Sequence, residues 1–223
     1  MNVVTRVMLK SAIIWGSAGH AMVVLDMLEA NGFRPVALFD NNPDVKSIDP
    51  DVPLYHGEAG FFGWAEKVAD LGQFSGFMAI GGGRGDVRLQ LRKMFHQVGI
   101  TTPTIAHENA VISPNSAIGD GCQFLAFTNV AAGARIGNAC ILNHKASVDH
   151  ESELGDGVHL APGATLCGLV KVGNNSFIGS GATILPRVTI GQNCVVGAGA
   201  VVTRDVPDGV TVVGCPADII KNR

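Results

Sequence analysis

From residue 112 an aliphatic or phenylalanine side chain recurs every six positions. The series runs Ile112, Ile118, Phe124, Val130, Ile136, Leu142, Val148, Leu154, Leu160, Leu166, Val172, Ile178, Ile184, Ile190, Val196 and Val202, without slip or insertion. Four residues after each comes a small or modest side chain, as at Cys122, Ala134, Cys140, Ala146, Ser152 and Ala164. Neither an α-helix (period 3.6) nor an ordinary strand (period 2) keeps such a register. A period of six predicts a parallel β-helix. Three six-residue edges close a triangular coil, so each residue stacks on the one eighteen positions later. The aliphatic side chain fills the interior, the small one fits the narrow corner, and glycine eases the turn. Sixteen hexads make a little over five coils, a prism roughly 25 Å tall at ~4.8 Å per coil.

Residues 1–105 follow another rhythm. "SAIIW" predicts a buried strand, followed by the turn "GSAGHA" and a helix through Val23, Val24, Met27 and Leu28, with Gly32 as its stop. "VALFD" predicts a second strand ending at Asp40, then a helix near residues 58–71, a strand and glycine turn in "FMAIGGG", and a helix over residues 86–98. Alternating strands and helices imply a small parallel sheet. The expected layout is an α/β domain over 1–105, a β-helix over 106–207 and a tail over 208–223.

Composition narrows the classes. Hydrophobic residues make up 47% and charged residues 16%, which suits a globular chain. A net charge of −3 with no basic run argues against nucleic acid as the main partner. No apolar stretch approaches the ~20 residues that span a bilayer, and "MNVVTRVMLKSAIIWG" lacks a leader cleavage site. Five scattered cysteines form no metal-like pairing and suit a reducing compartment. Cys122 and Cys140, one coil apart, should stack as core thiols rather than bond to each other.

Two segments could carry chemistry. "GSAGHA", between a strand and a helix, is a degenerate dinucleotide fingerprint in which Ala18 replaces the second glycine. Backbone N–H groups of such a turn can approach phosphate, and Asp40 stands where a ribose-binding acid would. About 105 residues hold one mononucleotide half, so a nucleoside diphosphate fits better than NAD. "LNHKASVDHESELGDGVHLAPGATLCG", residues 142–168, places three histidines and a run of carboxylates on the prism.

The hexad region resembles the left-handed β-helix of hexapeptide-repeat acyltransferases. With the marks "GSAGHA", "LFDNN", "AIGGG", "IAHENAVISP", "LNHKASVDHE" and "GVHLAPGATLCG", the whole chain resembles the nucleotide-linked amino-sugar N-acetyltransferases of the PglD-like group. The sialic acid O-acetyltransferases (NeuD-like) share that layout. The resemblance implies a cytoplasmic homotrimer with sites at subunit interfaces and acetyl-CoA as co-substrate. The acceptor would be a nucleotide-linked 4-amino-4,6-dideoxyhexose destined for a surface glycan such as lipopolysaccharide. It implies His150 as general base, Glu151 as its orienting partner and Asn143 as a polar contact. His159 would meet the acetyl thioester carbonyl, with Gly168, Ser180 and Ala198 along the coenzyme. Ser17, Gly19, His20, Asp40, Asn41, Gly81 and Gly82 would contact the nucleotide sugar. The closing "G-x-P-A" loop is present as Gly214, Pro216 and Ala217, but Asp218 stands where that family usually has a basic residue.

The residue types suit that reaction. A sugar amine must lose a proton to attack a thioester, and an imidazole of pKa near ~6.5 can accept it. A carboxylate beside the ring fixes it and stabilises the imidazolium. A donor at the thioester oxygen stabilises the oxyanion. No Ser or Cys stands beside His150 in the motif, so direct transfer is expected. Other readings are sugar O-acetylation, a zinc carbonic-anhydrase-like prism and a non-catalytic binding module. The zinc reading meets a spacing problem: His144, His150 and His159 are six, nine and fifteen apart rather than eighteen. No metal is expected. His144, His107, Lys145 and Lys171 read as solvated, interfacial or structural.

Overall fold

The computed structural model describes residues 9–222; the first eight residues of the stretch read above for a leader lie outside the described residues. The chain divides into two units, Met1–Ile80 with Lys93–Pro103, and Gly81–Arg92 with Thr104–Arg223.

The first unit is a small parallel sheet with helices. Its elements are β1 (Lys10–Trp15), α1 (Gly19–Leu28), β2 (Phe33–Asp40), β3 (Leu54–His56), α2 (Gly57–Ala65) and β4 (Phe74–Met78), in sheet order β3-β2-β1-β4. The helix α3 (Gly85–Gln97) contributes its last residues to this unit. Trp15 stacks on Phe39 with ring centroids 5.6 Å apart and packs against Phe61 and Phe95, so the aromatic residues form the core. As expected, the helical stretch stops at Gly32: α1 runs on into a 3-10 turn over Glu29–Asn31, and Gly32 is left-handed and donates its N–H to Glu29 O. The helix expected near 58–71 ends sooner. Lys67 and Val68 bond only three residues back, to Trp64 and Ala65, and the Asp70 carboxylate starts a new turn by accepting the Gly72 N–H. The three-residue β3 has no counterpart in the sequence reading.

The second unit is a left-handed parallel β-helix. Two-residue strands pair in parallel with strands eighteen positions on, as Arg135 with Glu153, Ile141 with His159 and Ser147 with Thr165. Three faces result. Face one runs from Ile105–Ala106 through Ile141–Leu142 and His159–Leu160, face two from Val111–Ile112 through Ser147–Val148, and face three from Ala117–Ile118 through Glu153–Leu154. The hexad aliphatics and the small residues four positions on make one continuous buried core. At the corners from Gly121 to Gly199 the third residue after the aliphatic is left-handed; some are glycine, such as Gly133 and Gly163, but Phe127, Lys145, Glu151 and Leu169 adopt it too.

The small corner position also carries a hydrogen-bond donor at several levels. Cys122 Sγ donates to Gly137 O at 3.0 Å, Cys140 Sγ to Gly155 O at 3.2 Å and Ser176 Oγ to Gly191 O at 2.7 Å. That explains why Cys and Ser interchange there: both are small, and both satisfy a corner carbonyl. Cys122 and Cys140 are buried free thiols, and burial pushes the Cys140 thiol up.

The outward residues of the three faces differ. Gln123, Ile141 and His159 on face one are buried, and residues 81–92 pack there, with Gly83 close to Phe177 and Gly82 bonded to His159. Face two presents the uncharged Asn129, Ser147, Thr165, Thr183 and Val201. Face three carries Arg135, Glu153 and Lys171, the last two 3.6 Å apart. After the last coil, Val210–Gly214 adds a parallel strand to face one and Ala217–Asn222 returns antiparallel beside it. Among the described residues no helix is long and apolar enough to cross a membrane.

Candidate active site

The corner after Ser147–Val148 holds His150 and Glu151. His150 N–H is capped by Asp149 Oδ1 at 2.7 Å, which turns the residue outward. Its ring nitrogen Nδ1 lies 3.3 Å from Glu151 Oε2, with both side chains more than half exposed. A carboxylate beside Nδ1 selects the Nδ1–H form and leaves the lone pair on Nε2. One coil on, Gly168 supplies the space for this ring: a Cβ there would sit 2.6 Å from His150 Cε1. One coil back, Gly133 lies under the Glu151 side chain. Three sequence-predicted residues, His150, Glu151 and Gly168, are therefore brought together.

A second group forms where face one meets face two. His159 is only 4% exposed and packs edge-on against Phe177, with ring centroids 5.2 Å apart. Its Nδ1 is 3.0 Å from Gly82 O and its Nε2 is 3.4 Å from Asn143 Nδ2. Asn143 Oδ1 accepts the His144 backbone N–H at 2.8 Å and faces His144 Nδ1 at 2.9 Å. His144 therefore belongs with Asn143 and His159, a placement the sequence reading did not make. Ser180 and Ala198 stand in the His144 column, two and three coils on, both exposed. Within one chain these residues occupy a different corner from His150, Glu151 and Gly168. Among the described residues no group of three or more His, Cys, Asp or Glu side chains is placed to hold a metal.

In the first unit, Ser17, Gly19, His20, Asp40 and Asn41 gather at the carboxyl ends of β1 and β2, where the strand order makes ligands bind in such folds. Gly16 is the glycine this turn requires: its φ is +115°, and a Cβ would fall 2.5 Å from Ala79 O. The Asp40 carboxylate ties two loops together, accepting Ser17 N–H at 2.8 Å and Asn42 N–H at 2.9 Å. Ser17 is buried, and its hydroxyl bonds Lys46 O and Ile48 N–H. Its hydroxyl thus holds the 46–48 loop. Gly81 and Gly82 group with the β-helix unit, where the Gly82 carbonyl meets His159. His107 is a turn residue whose Nδ1 accepts the Asn109 N–H at 3.0 Å, Asp218 pairs with Arg204, and Lys145 is a left-handed corner residue.

Comparison with known proteins assigns the lineage. Residues 11–94 match the PglD N-terminal domain, and residues 170–204 match the bacterial transferase hexapeptide (six repeats). The crystal structure of PerB from Caulobacter crescentus, in complex with CoA and GDP-perosamine, is 36% identical, with a TM-score of 0.84 over 95% of this chain and 97% of that one. The chain belongs to the PglD-like hexapeptide-repeat sugar acetyltransferases. It is an acyltransferase. Other members are similar over nearly their whole length. The acetyltransferase domain of PglB from Neisseria gonorrhoeae is 29% identical, with a TM-score of 0.83 over 95% of this chain and 100% of that one. WeeI from Acinetobacter baumannii is 28% identical, with a TM-score of 0.82 over 94% and 99%.

Proposed function

We propose that this chain transfers an acetyl group from acetyl-CoA to the 4-amino group of a nucleotide-linked 4-amino-4,6-dideoxyhexose, in the cytoplasm, for a surface glycan. The observation that carries the reading is the His150 corner: an outward imidazole, a carboxylate at Nδ1, and a glycine clearing space at Nε2. The likeness to PerB, whose complex contains CoA and GDP-perosamine, supports the two substrates.

In this mechanism the amine nitrogen attacks the thioester carbonyl carbon. His150 Nε2 takes the excess proton as the tetrahedral intermediate forms, and Glu151 stabilises the imidazolium. The Asn143 amide, held by His159, would donate to the oxyanion. The C–S bond then breaks, coenzyme A leaves as the thiol with that proton, and no acyl-enzyme forms. Gly168, Ser180 and Ala198 would follow the coenzyme. The turn at Ser17, Gly19 and His20, with Asp40 and Asn41, would hold the nucleotide. A homotrimer would bring the His150 corner of one chain to the Asn143 corner of the next. The uncharged ladder of face two, flanked by those corners, suits such packing.

A panel of nucleotide amino-sugars with acetyl-CoA, followed by thiol release, tests the reading. His150→Ala should lower kcat by about 10²–10⁴-fold while the oligomer stays intact by light scattering. Turnover within a few-fold of the native enzyme would remove His150 as the base.

A further inference from the structure

The hydrogen bonds around His159 have a polarity fixed at both ends. Gly82 O can only accept, so the nitrogen facing it, Nδ1 at 3.0 Å, carries the proton. The His144 backbone N–H can only donate, so the Asn143 atom 2.8 Å from it is the oxygen, and Asn143 Nδ2 is the atom turned toward His159 Nε2. In the neutral ring Nε2 is then the lone-pair nitrogen and accepts from the amide. One hydrogen of Asn143 Nδ2 goes to His159, and the second remains for an acyl oxygen.

This order rests on where the Gly82 carbonyl sits. Gly82 is left-handed (φ +67°), inside the run Gly81 to Gly83, with no side chain of its own to anchor it. Arg88, on α3, is fully buried. Its Nη1 donates to Gly82 O at 3.4 Å, its Nε to Ala139 O at 2.9 Å and its Nη2 to Gly157 O at 2.7 Å. Ala139 and Gly157 are stacked on consecutive coils at one corner, so the guanidinium fork bridges two coils and the glycine run together. Gly85 lies so close to Gly157 that a Cβ on it would also sit 2.9 Å from Asn175 Oδ1, so only glycine lets the segment pack this close to the coil. A planar fork with several fixed N–H directions can make these contacts at once; an ammonium cannot.

We propose that Arg88 is a positioning residue for acyl transfer: by anchoring the Gly82 carbonyl to the coils of Ala139 and Gly157, it sets the Nδ1–H form of His159 and thereby aims the Asn143 amide. The proposal rests on the reading that Asn143 and His159 serve acyl transfer. Burial pushes the Arg88 guanidinium down to about 10, so it keeps its charge at neutral pH.

Imidazole 15N NMR of the histidine-labelled full chain tests it, with His159 assigned by the signal lost in His159→Asn. The native protein should show His159 protonated at Nδ1. Arg88→Met and Arg88→Lys should both convert it to a mixture of tautomers and lower kcat at least tenfold, with KM for the nucleotide sugar little changed. His150→Ala should lower kcat by about 10²–10⁴-fold and leave the tautomer alone, so a failed enzyme reading and a failed positioning role are told apart. Should the Arg88 variants not fold, Gly82→Ala, which meets no neighbour within 4 Å but strains the left-handed turn, should shift the tautomer in the same way. Retention of the Nδ1–H form in every folded variant, or kcat within twofold of native in Arg88→Met, overturns the proposal.

Discussion

Glu151 sits at φ +54°, a conformation that costs an ordinary L-residue about 1–2 kcal/mol relative to glycine. Its side chain is largely exposed, so packing returns little of that cost. The coil imposes this turn here as it does at Phe127, Lys145 and Leu169, and Glu151 fills it with a carboxylate beside His150. Glu151→Gly should then raise the unfolding free energy by roughly 1 kcal/mol, since glycine's greater freedom in the unfolded chain offsets part of the relief, while turnover falls. Denaturant melts and steady-state rates on one preparation check both signs. Gly168 makes the complementary test. Gly168→Ala pushes the His150 ring off its seat but leaves that exposed ring free to rotate away, so kcat should drop about tenfold or more with Tm nearly unchanged. A crystal structure with the ring unmoved would count against this account of Gly168.

At the scale of elements, the hexad register was legible because three constraints recur along the coils: an apolar interior residue, a small residue and, from Gly121 to Gly199, a left-handed turn. Ala146 shows how tight the second one is. It is fully buried at the corner beside Asn143, in a column continued by Ala164. Ala146→Leu should cost about 1–3 kcal/mol through overpacking, measurable as a lowered denaturation midpoint with no change in m-value. The front elements were less legible. The α2 helix was read too long because the apolar spacing continues after Ala65, whereas the backbone bonds do not. The strand β3 is three residues long and draws its order from pairing with β2. Arg88 carries no sequence signal of its burial, because on a helix as polar as α3 a basic residue is ordinarily solvated. Only the corner carbonyls of Ala139 and Gly157 reveal why it is inside.

For the molecule as a whole, the sequence carried the fold class and the lineage, and the "VDHE" motif put Glu151 beside the His150 ring, whereas Asn143 stands at another corner of the same chain. Sequence spacing put His144 and His150 on different corners but did not show which side chains each histidine touches. His144 joins Asn143 only because an adjacent side-chain oxygen bonds both its backbone and its ring. Gly82, expected at the nucleotide, also gives its carbonyl to His159, a contact within the second unit.

The strand that runs backward at the carboxyl end has a further consequence. Identical parallel rungs have no inherent stopping point, since each offers its successor the same open rim of amides and carbonyls. On face one, Ala217–Asn222 reverses direction beside Val210–Gly214 and so covers the edge where a further parallel rung would pair. A chain ending at residue 207 should therefore self-associate lengthwise into fibres, visible by electron microscopy and rising turbidity, at concentrations where the full chain remains clear.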